Sequence, residues 1–288
     1  MTSLTTLAFL GHGETLDSPE FGLTVNKAFQ FLLGKGPQKM MYEHAMMTYA
    51  LAEGYGITRF PGLKPPLQEA VDVLIKAQKV NKSTKHVGGW RYSSSSIDSD
   101  TSVTGWCVQA LKAAKAAGAD VPDETLDLAS QYLWKMYANG TFGYESPDGS
   151  FRPSVTAIGV FSQSLLNQVN DPRIRPSLDR LKTVKPDWDK DTMWPLYAWY
   201  YMTHAQFQGG GQYWEHWDNS FRETLLRHQS ADGHWDSPTA SKENYGPTYS
   251  TAFCTLMLEV YYRYPATPTK ASPLPPMSTL PPLPRKTR

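Results

Sequence analysis

Apolar residues recur along this chain at the three- and four-residue spacing of helices, in successive pairs of segments. The spacing predicts a first helix over about 2–11 and a partner over 19–34, with Val25, Phe29, Leu32 and Leu33 on one side. A second pair lies over 41–55 and 65–79, the latter with Leu67, Val71, Leu74 and Ile75 in phase. A third covers 101–118 and 122–138, where Pro122 suits a first turn. A fourth lies over 153–168 and 172–183, and a fifth over 191–208 and 212–228. A last helix over 247–263 stops at Pro265.

The two members of each pair differ. The first is apolar nearly all round and rich in small residues. The second carries a charged face, such as Asp123, Glu124 and Asp127, or Glu215, Arg222 and Glu223. A helix apolar all round is buried, and one with a charged stripe meets solvent. Alternation of the two, at a repeat of roughly 40–55 residues, is satisfied by two concentric layers with the chain passing between them. The predicted class is all-α, an α/α toroid of about six inner and five outer helices over residues 1–264. Inner helices then run parallel, and their N-terminal ends share one face. Residues 265–288 are rich in Pro, Thr and Ser and read as an extended tail.

Composition narrows the function classes. A chain that is 40% hydrophobic and 19% charged folds around a core, and nine Trp and sixteen Tyr supply more aromatic surface than a core needs. A net charge of +1 with no basic stripe argues against nucleic acid as partner. No apolar run reaches the length of a membrane span and no signal peptide opens the chain, which fits a cytoplasmic protein. Cys107 and Cys254 lie in apolar helical runs without ligand spacing, so neither a disulfide nor a metal is expected, and no cofactor is implied.

Between pairs stands a local signature. Gln229 is followed by Gly233 and Trp235, and weaker echoes occur at Gly88-Gly89-Trp90, Asn139-Gly140-Thr141-Phe142 and Gly143-Tyr144. This resembles the Gln–Trp repeat of squalene and oxidosqualene cyclases, in which Gln caps an outer helix and stacks on the Trp of the turn leading inward. The resemblance implies the α/α toroid of the terpene cyclases and protein prenyltransferases. Toroids of that kind serve several chemistries, so fold alone does not set the activity.

Ile97-Asp98-Ser99-Asp100-Thr101-Ser102 begins the third inner helix, where either Asp suits a simple N-cap. It is also similar to the Asp-x-Asp-Asp of type II terpene cyclases. By that resemblance Asp98 matches the first Asp, Asp100 the middle Asp that protonates the substrate, and Thr101 replaces the last. The prenyltransferase zinc triplet is absent, since the corresponding positions read Asp100-Thr101-Ser102. His44, at the start of the preceding inner helix, is a candidate partner of Asp100; as a lone His it equally suits packing. Asp191 is expected to cap the fifth inner helix. Tyr42, Trp90, Trp106, Tyr197, Trp199, Tyr200, Tyr245 and Tyr249, with Tyr92 and Trp194, form an aromatic set at inner-helix entrances. They are core or the lining of a mouth. Two functions follow: acid-initiated cyclization of an isoprenoid with Asp100 as general acid, or non-catalytic binding of a peptide, polysaccharide or partner protein in an aromatic mouth.

Six inner helices against five outer ones leave the first and last inner helices without an outer neighbour between them. Met1 therefore reads as an internal start that lacks an upstream outer helix. The open groove is expected to be covered by the tail, through Leu274, Met277, Leu280 and Leu283, or by a second copy of the chain.

Overall fold

The structure, a computed structural model, describes residues 1–191, 193–243 and 245–263. Eleven principal helices and a short final one follow in chain order: α1 (Thr2–Gly11), α2 (Gly22–Lys35), α3 (Met41–Thr58), α4 (Lys64–Gln78), α5 (Thr101–Ala117), α6 (Asp123–Lys135), α7 (Pro153–Leu165), α8 (Ile174–Leu181), α9 (Pro195–Gly209), α10 (Gly211–Arg227), α11 (Pro247–Leu258) and α12 (Val260–Arg263). The odd-numbered helices α1 to α11 pack each on the next, and α11 returns to pack on α1, so the inner ring is closed. The even-numbered helices α2 to α10 back this ring as the outer layer. This is the α/α toroid of six inner and five outer helices. The predicted tail lies outside the described residues. No helix among the described residues is long and apolar enough to cross a membrane.

Three predicted boundaries change. The helix over 122–138 stops at Lys135, because Tyr137–Ala138 (β1) and Thr141–Phe142 (β2) form a hairpin. Its turn residues Asn139 and Gly140 both sit at positive φ, the Asn-Gly pattern that such two-residue turns demand. The helix expected from 191 begins at Pro195: Trp194 takes a left-handed conformation, and a residue before proline is disfavoured in the α region. The last helix breaks at Glu259. Beyond the break, Tyr261 accepts a 2.7 Å hydrogen bond from Trp214 Nε1 and packs edge-on against Phe207, so α12 turns toward α9 and α10.

Tryptophans wedge the hairpins together. Trp90 Nε1 donates to Leu74 O on α4 at 2.8 Å, and the Trp90 backbone N–H donates to Thr104 Oγ1 on α5. Trp235 repeats both contacts, with Leu225 O on α10 and Thr251 Oγ1 on α11. At the third echo the Phe142 N–H donates to Thr156 Oγ1 on α7. The expected capping of an outer helix by Gln229 does not occur; its amide closes the turn on Gly233 O, and the indole N–H serves the outer-helix carbonyl instead. For the first echo, buried Gln78 at the end of α4 donates to Gly88 O and Thr125 O, tying two hairpins.

The ring axis is filled. Trp106 stacks on Tyr200 with centroids 5.6 Å apart, and Tyr201, Phe253 and Phe161 pack edge-on around them. Gln109 clamps this layer, accepting from Tyr200 Oη and donating to Tyr201 Oη, both at 2.9 Å.

The closeness of the two layers yields a test. A Cβ on Gly54 of α3 would overlap the Phe29 ring of α2, whereas one on Gly56 would meet only Ala117 Cβ at 3.7 Å. Gly54→Ala is expected to lower unfolding free energy by about 1–3 kcal/mol through overpacking, and Gly56→Ala to raise it by about 0.5–1 kcal/mol through lost chain entropy. Urea unfolding of the two variants checks this; equal effects would contradict the layer packing.

Candidate functional site

The first amides of a helix have no partner within it. At three of the inner helices they are met by the segment that leads into the next inner helix. Met41 N–H, opening α3, donates to Tyr92 O at 2.7 Å, and Thr101 N–H, opening α5, donates to Tyr144 O at 2.9 Å. At α9 a carboxylate takes this role: buried Glu243 accepts from Leu196 N–H at 2.7 Å and Tyr197 N–H at 3.0 Å. Tyr249 Oη donates to the same carboxylate at 2.9 Å. Asp191 does not cap α9. Its Oδ2 accepts from Asp187 N–H and Trp199 Nε1, and so fixes the loop ahead of the helix.

These stitches bring one end of the ring together. Asp100 precedes α5 and is fully buried. Its Oδ1 accepts from Val103 N–H at 2.8 Å, the N-cap geometry expected, while Oδ2 makes no hydrogen bond. Arg91 covers it. The guanidinium lies 3.7 Å from Asp100 Oδ2 and 3.5 Å from Asp98 Oδ2, pairs with Glu145, and stacks over the rings of Tyr92 and Tyr144. The two tyrosine hydroxyls meet at 2.6 Å. Tyr42, Ser102 and Tyr197 lie beside Asp100; burial pushes the Tyr42 and Tyr197 hydroxyls far above the ordinary phenol range, helped by Tyr197 and Asp100 at Tyr42 and by Tyr201 and Asp100 at Tyr197, against hydrogen bonding by Ser102. On the far side of Tyr42 come Tyr249 and Tyr245, rings 4.9 Å apart, and Trp194 stacks on Tyr245 at 6.0 Å. Trp194 and Tyr245 are exposed, as is Tyr92. The mouth is thus a buried carboxyl and a single guanidinium ringed by aromatic faces.

Of the residues singled out from sequence, this mouth brings together Asp98, Asp100, Tyr42, Tyr197, Tyr245 and Tyr249. His44 is elsewhere. Its Nδ1 accepts from Gln38 N–H and its Nε2 donates to Ala70 O at 2.9 Å, so it points to the outer layer and joins α3 to α4. Burial lowers its pKa and keeps it neutral, as those two bonds require. Trp90 is the hairpin wedge, and Trp199 faces the outer side against Trp188. Trp106 and Tyr200 belong to the filled axis beneath the mouth. Arg91, Glu145 and Glu243 escape a reading by motif, Glu145 and Glu243 because each acts from a loop that is distant in sequence from the helix it serves and Arg91 because it lies outside the Asp-x-Asp stretch it covers; Tyr144 is visible only as an echo of the turn signature. The one signal they leave is position, since each follows or precedes a Gly/aromatic turn.

No family model and no curated protein matches the chain. Solved structures with this fold do. The α-1,6-mannanase GH76A of Salegentibacter sp. HEL1_6, as an inactive variant with α-1,6-mannotriose, superposes with TM-score 0.67 at 9% identity, over 91% of this chain and 88% of that one. The cellobiose 2-epimerase of Spirochaeta thermophila gives 0.63 at 12% identity, over 91% and 85%. The type II terpene cyclase MstE from Scytonema gives 0.53 at 17% identity, over 91% and 73%. At these identities the likeness establishes the shared α/α toroid, including terpene cyclase-like members.

Desolvation raises the Asp100 pKa to about 6, against the lowering effects of the Val103 amide and Arg91. The folded chain therefore holds this proton more tightly than the unfolded chain. The stabilisation is complete below about pH 4, the ordinary aspartate range, and is lost as pH rises through the folded value. Asp100→Asn keeps an acceptor for Val103 and removes the titration. Urea unfolding from pH 4 to 7 is expected to lose this fall, leaving the variant more stable than the parent at pH 7 by about 1–3 kcal/mol. A variant whose stability falls like the parent's would assign the proton elsewhere.

Proposed function

We propose that the Asp100 end of the ring binds a carbohydrate and that Asp100 is the acid of the site. The observation that carries this reading is the exposed, stacked pair Trp194–Tyr245, with Tyr92 across the mouth, around a carboxyl with one unbonded oxygen. Sugars present an apolar C–H face and a rim of hydroxyls, and so call for flat aromatic surfaces beside charged and hydrogen-bonding groups. The filled axis supports the same choice, because a ligand must lie across the mouth and not descend into the ring. Two structural neighbours named above act on or bind saccharides, which makes α-1,6-mannan fragments and cellobiose sensible first probes.

In the catalytic form of this reading, Asp100 donates its proton to the leaving oxygen as the glycosidic C–O bond breaks, and Asp98 or Glu145, as carboxylate, takes a proton from the water that forms the new bond to the anomeric carbon. The ligand oxygen then takes the place that Arg91 Nη1 holds 3.7 Å from Asp100 Oδ2. A second reading is acid-initiated cyclization of an isoprenoid. It is favoured by Asp98-Ser99-Asp100-Thr101 at an inner-helix start with a buried, protonatable Asp100. The prenyl chain then lies over Tyr42, Tyr197 and Tyr249. Formation of cyclized hydrocarbon from a linear polyprene, abolished by Asp100→Asn, distinguishes this from the saccharide reading.

Titration calorimetry with manno- and gluco-oligosaccharides tests the first reading. Trp194→Ala and Tyr245→Ala are each expected to weaken binding about tenfold, the effect of one lost aromatic face. Asp100→Asn is expected to bind sugar undiminished and to lose any turnover. Absence of saccharide binding by the parent protein would overturn the proposal.

A further inference from the structure

The closed inner ring has one bare side. Outer helices back the junctions from α1 to α9, but among the described residues no helix backs the seam where α11 meets α1. An open groove of about 610 Å³ runs there. Phe9 and Phe21, rings 5.3 Å apart, and Ala8 and Ala252 form its apolar wall; Glu14, paired with His12 at 3.2 Å, buried Glu259 and His234 also line it. The groove lies on the opposite side of α11 from α9, and it is separate from the Asp100 mouth.

We infer that the segment 264–288 of this same chain docks in the groove as an extended polyproline-type strap. Two features of the sequence fit that occupant. Leu274, Met277, Leu280 and Leu283 recur every third residue among prolines. A polyproline II helix has three residues per turn, so these four side chains form one apolar edge. Grooves lined with aromatic rings are the surfaces on which such helices dock. The segment also carries Lys270, Arg285, Lys286 and Arg288 and no acidic residue, so no carboxylate of its side chains meets the groove carboxylates Glu14 and Glu259.

The lengths agree. The four-residue edge from Leu274 to Leu283 spans roughly 28 Å at about 3.1 Å per residue, of which Leu274 to Leu280, roughly 19 Å, matches the length of α11. The twelve residues of α11 extend about 18 Å at the helical rise. The described chain leaves α12 on its α9 and α10 side, and the residues from Arg263 to Leu274 reach about 34 Å, enough to return across α11 to the seam.

The test is amide hydrogen exchange on the full chain, comparing the parent with a variant in which Leu274, Met277, Leu280 and Leu283 are all serine. The substitutions leave every described residue of the ring, 1–263, unchanged. Exchange in residues 2–14 and 247–259 is expected to rise about tenfold in the variant while α5 is unchanged. A synthetic peptide of residues 264–288, added in trans to the variant, is expected to restore the protection. Equal exchange in parent and variant would overturn the proposal. So would protection that grows with protein concentration together with a dimeric mass by light scattering, which would make a second copy the occupant.

Discussion

The structure depends on how a ring of inner helices satisfies their first amides. Helices that enter the ring from one side leave unpaired N–H groups and positive dipole ends together at that face. A solenoid solves this locally, and at three of the inner helices the solution is the next lead-in segment: a Tyr92 carbonyl for α3, a Tyr144 carbonyl for α5 and the Glu243 carboxylate for α9. Those three hairpins are each completed by their successor, so directed caps as well as hydrophobic packing hold the ring together.

The same constraint places the chemistry. A face rich in helix N-termini attracts carboxylates, and Asp100 and Glu243 are drawn there as caps. Burial by the surrounding tyrosines then works against their charge and raises both pKa values. For Glu243 the two amides and Tyr249 satisfy the oxygens. Asp100 has one amide on one oxygen and only the more distant Arg91 near the other, so the group with chemistry to spare is the cap that is half used. Structural and functional roles are thus two halves of one carboxylate.

Sequence patterning carries the fold because two independent signals agree: apolar periodicity marks the helices, and the contrast between wholly apolar and one-sided helices marks the layers. It fails where a residue's partner is remote. His44 and Trp199 sit on inner helices like Tyr42 and Tyr197, yet face outward, because α3 and α9 are buried all round and their periodicity carries no inward direction. Glu243 lies in a polar loop that reads as solvent-exposed until the ring brings α9 against it. The Gln–Trp signature locates the turns correctly, but its tryptophans hold the outer-helix carbonyls that the motif assigns to glutamine.

The contact of α11 with α1 joins the two ends of an otherwise sequential assembly. Every other inner-ring junction links neighbouring hairpins, separated along the chain by one outer helix and its connections. This one must bring together segments from opposite ends of the described chain, so its loop-closure entropy is the largest of the ring's junctions. A seam with that cost is the contact at which the terminal hairpin of one molecule would most readily be exchanged for that of another.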